Sequence, residues 1–539
     1  MTSAPPSGPP PGCPAHQPMY GPEFAADPAA FYRRARAHGP TAPVELAPGV
    51  RATLVTSYDA ALHVLRGTET FAKDARRWND LADGTVPADS PVVPMMMYRP
   101  NALFSDGEEH RRLRGAITDS LARVEPHTLR GYVERSADTL IDRLAPTGGA
   151  DLLGEYAQVL PLLVFNHLFG CPAELGVKLV EGMSAIFDGV DAGRADALLT
   201  ATLLELVTLK RKRPGPDVTS WLTLHPARLT DEEMIHTLVV LMGAGTEPQQ
   251  NLIANALRLL LSDDRFAGDL SGGSLPVEDA LDEVLWTDPP MANYAVHYPK
   301  RDVLHEGALL RAGAPLVVSL AAANTDPALG NERRKGNRAH LAWSAGPHNC
   351  PARSEARLIA SVAVEKLLDR LPDIELAVPA DELEWRPGPF HRALSALPVT
   401  FPPTPVLTIT APPTRPAPAP NAPAPRPRPP PTRRAAGPDC CPGGAASRGV
   451  GPFGRAPGSR SARRGRPRPG PAPLSRAGRR GGCSPKATAR PLPGRDGQPG
   501  RRPDGTGSAV RRHRPHGPAR LPAGVGHLLR RRRAPPGLR

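Results

Sequence analysis

The strongest constraint on the fold is the stretch from Thr230 to Leu261. Thr230-Asp-Glu-Glu233 has the spacing of a capping box: a Thr hydroxyl for the third amide, and a Glu to reach back to the cap amide. Acidic residues in that first turn also suit the helix dipole. The apolar runs Met234–Met242 and Leu252–Leu261 then make one long, largely buried helix, and the chain around it reads as mainly helical. Gly243-Ala-Gly-Thr-Glu-Pro248 falls in its middle. Two glycines and a proline within six residues predict a local opening of the hydrogen-bond ladder. Small residues there also fit close helix–helix packing, but a Glu and a Pro in an apolar helix suit packing less well.

Only part of the chain can share in such a core. Near Val406 the helical patterning stops, and Pro, Arg, Gly and Ala dominate to the end. From Ala411 onward, 129 residues hold 28 Arg and one Lys against three Asp and no Glu, a net of +26. The other 410 residues carry 38 Lys and Arg against 50 Asp and Glu, a net of −12. The overall +14 thus combines an acidic body with a very basic tail. The body can bury a large core in one big domain or two. The tail cannot bury enough apolar surface to offset its ordering entropy and is predicted to be disordered. Its charge would attract nucleic acid non-specifically, but Phe453 is its one aromatic residue for base stacking. Arg, Pro, Gly and Ala share GC-rich codons, so a shifted reading frame would produce this mixture; nucleic-acid binding is not expected of the body.

No run of 18 or more apolar residues suggests a membrane span, and the Pro-rich start lacks the basic and apolar regions of a signal peptide. Six scattered cysteines do not form a disulfide pattern, and a reducing cytoplasm is the expected location. One of them stands out. Cys350 lies between the Gly/Pro-rich Ser344-Ala-Gly-Pro-His-Asn349 and a helix-patterned run. First-turn amides and the helix dipole would favour its thiolate, the form that binds metal. With no second cysteine nearby, a metal whose other ligands are not protein is the fitting partner, and haem iron is such a case. The alternative is a small buried apolar residue.

Leu341-Ala-Trp-Ser-Ala-Gly-Pro-His-Asn-Cys-Pro-Ala352 resembles the haem-binding loop of the cytochrome P450 family, Phe-x-x-Gly-x-His/Arg-x-Cys-x-Gly. Trp343 stands for the Phe; Gly346, His348 and Cys350 fall in place; Ala352 replaces the last Gly. The resemblance runs from about Pro22 to Phe401. It implies a mainly α haem-thiolate fold with a small β component, of the soluble bacterial type, with haem b as cofactor and Cys350 as the iron ligand. His348 matches a propionate-binding or loop-stabilising position. His110 and Arg114, at i and i+4 of Glu108-Glu-His-Arg-Arg-Leu-Arg114, match the propionate-binding helix, although such a charge run also fits a solvated surface. With a one-residue shift, His297 matches a further propionate ligand.

Two departures mark an atypical, actinobacterial-like member. Over the central helix the family carries Ala/Gly-Gly-x-Asp/Glu-Thr; Ala244, Gly245 and Glu247 match, but Pro248 replaces the Thr. Cleaving dioxygen needs protons delivered to its outer oxygen. Glu247 is the expected proton source, with Thr246 as a substitute hydroxyl. The family's Glu-x-x-Arg is here Glu283-Val-Leu-Trp286. A buried carboxylate without its cation costs roughly 3–5 kcal/mol, so Arg333, Arg334 or Arg338 is expected to neutralise Glu283 unless that residue is more exposed. Met95, Met96, Met97 and Tyr98 are candidates to touch an apolar ligand or to pack the core.

The resemblance therefore implies a monooxygenase that inserts one atom of dioxygen into a small apolar molecule, with electrons from a ferredoxin and its reductase. A haem-binding protein with weak or no such activity, acting as sensor or partner, is the alternative. The expected organisation is a flexible segment 1–21, a haem-thiolate domain 22–403 and a tail 404–539.

Overall fold

In the computed structural model, the described residues are 16–187, 192–263, 265–266, 277–330 and 337–404, and all fall within one compact unit. The remaining tail, Arg333 and Arg334 lie outside them. Alternating and β-branched residues build the sheet edge of the fold. Strands β1 (Gln17–Pro18), β2 (Thr41–Ala47) and β3 (Val50–Val55) come first. Gly49 takes φ +79° in the tight connection between β2 and β3, a conformation that glycine adopts without strain. Because β1 pairs with β2 and Met19 is fully buried, the N-terminal segment expected to be flexible to residue 21 is already part of the fold at Gln17.

Helices α1 (Pro22–Ala26), α2 (Pro28–Arg36) and α3 (Tyr58–Arg66) frame these strands, followed by β4 (Phe71–Ala72). Short helices α4 (Asn79–Ala82) and α5 (Val93–Met96) interrupt the otherwise irregular stretch that holds the methionines. Then come α6 (Gly107–Leu121), α7 (Pro126–Leu144), β5 (Gly149–Asp151), α8 (Val159–Leu168), α9 (Ala173–Phe187), α10 (Ala192–Lys212) and α11 (Val218–Thr223). The central helix α12 runs Asp231–Ser262, and α13 runs Val277–Thr287. Strands β6 (Ala295–Pro299), β7 (Val303–His305), β8 (Ala308–Leu310) and β9 (Leu316–Val318) precede α14 (Leu320–Asn324). Helix α15 (Arg353–Arg370) follows the cysteine loop, and β10 (Glu375–Leu376) and β11 (Pro398–Thr400) complete the described chain. The main sheet has the order β1-β2-β3-β9-β6-β4, with mixed directions; β10-β11-β5 and β7-β8 form smaller antiparallel units.

The capping box forms as its spacing predicts: the Thr230 hydroxyl accepts from the Glu233 amide at 3.2 Å, and the Glu233 carboxylate accepts from the Thr230 amide at 2.9 Å. The predicted opening at Gly243–Pro248 does not occur. The α12 helix continues through Pro248, which removes a single N–H, the one that would bond the Ala244 carbonyl. Packing explains this, because α12 is clasped by α8, α10, α13 and α15. Gly245 supports the close approach: a Cβ there would sit 2.6 Å from the Phe165 ring of α8. The Gln249 amide also donates to the Ala356 carbonyl of α15 at 3.0 Å, tying the central helix to the helix after the cysteine.

Candidate haem-thiolate site

The cysteine loop is shaped by backbone rather than by side chains. The Ser344 amide donates to the Leu341 carbonyl at 2.7 Å, Asn349 to Gly346 at 3.2 Å, and Cys350 to Trp343 at 2.8 Å, folding the loop back on itself. Gly346 takes φ +70°, and a Cβ there would overlap the Leu65 carbonyl oxygen of α3, so only glycine fits. Ser344 adopts φ +60° and ψ −171°, a region almost reserved for glycine that costs a side chain about 1–3 kcal/mol. Trp343 packs against the helical core, and its indole N–H is buried without a protein partner.

Cys350 receives the Ala352 amide and faces the Arg114 guanidinium, both of which favour its thiolate. Burial is the larger effect and pushes the thiol up, against the expectation that the helix start alone would ionise it. Burial thus outweighs the amide and the guanidinium, and a metal cation bound to the sulfur would be what favours the thiolate. The other described free cysteine, Cys171, is pushed up to about 12 by burial and is correspondingly inert.

A basic cluster gathers beside the loop. The His110 and His348 rings lie 4.0 Å apart, and the His348 Nε2 is 3.9 Å from an Asp106 oxygen. Arg114 donates to the Asn349 side chain at 2.9 Å. His297, buried on β6, holds its Nδ1 3.1 Å from the Ala295 carbonyl. Its imidazole is depressed to about 3 by burial, and then by the charge of nearby Lys73. His348 is held far below the ordinary imidazole range by burial, then by Lys73, His110, His297 and Arg114. His110 Nε2 is buried and unpartnered. The Arg114 and Lys73 cations, with neutral imidazoles able to donate and a buried unpaired His110 nitrogen, fit an anionic group, and the haem propionates are such groups. The structure thus brings His110, Arg114, His297, His348, Gly346 and Trp343 together around Cys350.

Glu247 and Thr246 belong to a different network. Glu247 is buried and ion-paired with Arg386, and it accepts from Gln250 at 2.9 Å and Asn251 at 3.2 Å. Thr246 is fully buried with its hydroxyl unpartnered. Beneath the loop, the expectation for Glu283 is corrected. Its side chain is 30% exposed and reaches Arg265 at 3.5 Å, so no buried orphan charge arises. Arg338 pairs instead with Asp282 at 2.6 Å and lies 3.7 Å from Glu278. Arg357 of α15 binds both of those carboxylates and is itself largely buried. Trp286 donates its indole N–H to the Asn337 carbonyl at 2.7 Å and meets His340 edge-on, with centroids 5.6 Å apart.

Lys73, Asp106, Arg357 and Arg386 escape a sequence reading. Asp106 stands at the N-cap of α6, yet its carboxylate accepts from the Lys73 and Asp74 amides rather than capping. Of the candidate ligand contacts, Met96 is buried, Met97 is exposed, and Met95 and Met96 border a small cavity with Phe104 and Tyr294. Tyr98 lies under the Arg76 guanidinium at 4.3 Å. Among the described residues no helix is long and apolar enough to cross a membrane.

Loop, cysteine and basic cluster together fit a haem bound through a thiolate, and the chain is similar to proteins that are haem monooxygenases. No family model matches the chain. Cytochrome P450 monooxygenase PikC of Streptomyces venezuelae is 33% identical over 397 residues, covering 70% of this chain and 92% of that protein. A 2-hydroxy-5-methyl-1-naphthoate 7-hydroxylase of Streptomyces carzinostaticus is 29% identical, covering 68% and 93%. Among solved structures, CYP154C4 from Streptomyces sp. W2061 matches with TM-score 0.65 and 28% identity, over 71% of this chain and 97% of that one. The chain belongs to the cytochrome P450 family of haem monooxygenases.

Proposed function

We propose that the chain inserts one atom of dioxygen into a small apolar organic substrate, drawing electrons from a ferredoxin and its reductase in the cytoplasm. The observation that carries this reading is Cys350, held by the loop fold and the Ala352 amide, with His110, Arg114, His297 and His348 gathered beside it. When bound, haem b supplies the activation of dioxygen. Cys350 is its iron ligand and the four basic side chains hold its propionates. Gly346 allows the loop to approach α3, and Trp343 closes the loop with its carbonyl. Met95 and Met96 offer an adaptable apolar surface to substrate. The haem-thiolate domain is read as 22–403, with Gln17–Pro18 joined to its sheet. The tail from 404 is read as an extension without evolved function; an in-frame stop soon after Phe401 on resequencing supports that, and loss of activity on truncation sinks it.

Proton delivery is the weaker half of the site. Glu247 carries the proton in this reading, but Arg386, Gln250 and Asn251 hold it, Pro248 has no hydroxyl, and Thr246 points to no partner. These observations favour a second reading, in which the protein binds haem but couples oxygen reduction poorly to product, as a sensor or partner would.

The test begins with the reduced protein under carbon monoxide. A thiolate-type absorption band is expected, lost in Cys350→Ala; a wild-type chain without haem overturns the reading. Product formed per dioxygen consumed then separates the two alternatives.

A further inference from the structure

The second half of α12 buries far more polar side chains than an apolar core helix should. Thr246, Glu247, Gln249, Gln250, Asn251 and Asn255 are all buried there. Some of their polar atoms are matched. Gln249 donates to α15, and the Gln250 and Asn251 amides donate to the Glu247 carboxylate. Asn255 donates to the Asp288 carbonyl at 3.3 Å and to the Arg392 carbonyl at 3.0 Å. Four acceptors are left over: Thr246 Oγ1, Gln250 Oε1, Asn251 Oδ1 and Asn255 Oδ1 are buried with no partner among the described residues. A single orphan is a packing defect. Four along one stretch of helix are what a file of enclosed waters satisfies, each water donating to one of them.

A second observation shows where such waters meet solvent. Glu247, Asn251 and Asn255 lie at i, i+4 and i+8, on one face of α12. Residues 385–394 lie against that face: Arg386 pairs with Glu247, and the Arg392 carbonyl accepts from Asn255. This segment is folded back on itself by the Trp385–Leu394 bridge and by the Arg386 amide, which donates to the Ala393 carbonyl at 2.8 Å. Arg386, His391 and Arg392 also line a small, partly open cleft with Tyr32 and Asn293, with room for about one water. The Arg386 side chain is 38% exposed and that of Glu247 5%, so the guanidinium spans from the surface to the buried acid. His391 faces both of them and is the other titratable group on this seam.

We infer that the seam between α12 and residues 385–394 holds a file of waters through which protons pass from solvent to Glu247. Arg386 stands at its outer end, and Gln250 and Asn251 position the water beside the acid. The inference rests on the monooxygenase reading above and supplies it with a proton entry that Pro248 does not organise. Each proton that Glu247 gives up is replaced by one from the adjoining water, and the file is refilled from bulk solvent, so the acid returns to its starting state and no charge accumulates. Arg386, Gln250 and Asn251 are positioning residues here, since none of them gives up the proton.

The test uses the full-length haem-loaded protein, with 7-ethoxycoumarin as probe substrate. Asn251→Leu puts methyl groups where the water would sit, Arg386→Leu removes the outer end, and Arg386→Lys is the conservative partner. A crystal structure of the wild type is expected to show ordered waters against Asn251 Oδ1 and Gln250 Oε1; a dry seam overturns the inference. Product formed per dioxygen consumed should fall about tenfold in both leucine variants, the lost share appearing as peroxide. The KM for 7-ethoxycoumarin and the carbon monoxide band should stay as in wild type, which a general loss of structure would not allow. The solvent deuterium isotope effect on turnover should grow in both leucine variants, and Arg386→Lys should restore both readouts. Unchanged coupling and isotope effect, or better coupling in Arg386→Leu, overturns the inference while leaving the haem site standing. A wild-type chain that binds haem but forms no product overturns the monooxygenase reading instead, and the waters in the crystal structure then decide on the seam. If Arg386→Leu does not fold, Asn251→Leu carries the same readouts.

Discussion

Beneath the cysteine loop lies Trp286, where the resemblance to the family implies an arginine; on the central helix lies Pro248, where it implies a threonine. The two departures are handled in different ways. Around Trp286 the electrostatic lock is rebuilt from other residues: Glu278 and Asp282, one turn apart on α13, share Arg357 of α15 and Arg338 of the loop. The indole fills the vacated place against His340 and finds its own acceptor at Asn337. Beside Pro248 the Thr246 hydroxyl is buried with no partner among the described residues, and the neighbouring acid is bound to Arg386. A structural lock needs only an attractive arrangement somewhere beneath the loop. A proton relay needs one group at one position, so a neighbour cannot take over by packing alone.

Breaking the rebuilt lock gives the largest expected effect. Arg357→Ala leaves Glu278 and the largely buried Asp282 to share Arg338 alone, and should cost roughly 3 kcal/mol in urea unfolding, with loss of the thiolate-type band. Arg265→Ala removes the exposed partner of Glu283 and should cost no more than about 0.5 kcal/mol. Equal costs would show that the lock still runs through Glu283.

Acid sharpens the same comparison. Burial, with Arg353, Arg357 and Arg338 nearby, brings His340 down to about 4, although Asp282 opposes the shift. The unfolded imidazole takes up its proton below about 6.5 while the folded one does not, so stability is lost as pH falls from 6.5 toward 4. His340→Phe should remove a share of that slope worth roughly 3 kcal/mol near pH 4, at about 1.4 kcal/mol per unit. A profile identical to wild type means that His340 is solvated.

The smallest effect is on the central helix. Pro248→Thr should raise product formed per dioxygen several-fold, a gain of roughly 1 kcal/mol, with haem content unchanged. No gain would place the proton route elsewhere than beside Glu247.

Local signals account for what could be read in advance. The capping box depends on residues three apart, the His110–Arg114 pair on one helical face, and the cysteine loop on glycine at Gly346, so each is a short-range property. The mainly helical fold with a minor sheet likewise follows from periodicity and family resemblance. The misreadings involve long-range partners. Whether Pro248 breaks α12 depends on the four helices that clasp it, and whether Glu283 is buried depends on how α13 is rotated against α15. The ionisation of Cys350 depends on how much solvent the finished fold removes.

The amino-acid order alone thus determined that a foldable acidic body carries a cysteine in a glycine-shaped loop, preceded by a capped central helix and a His/Arg face. Only the tertiary structure decided that Arg357 and Arg338 serve Asp282 and Glu278, that Arg386 holds Glu247, and that Lys73 joins the basic cluster. The reason is physical. Charge pairing and desolvation act through space over a few ångströms, and residues 139 positions apart, such as Glu247 and Arg386, become neighbours only when the chain has packed.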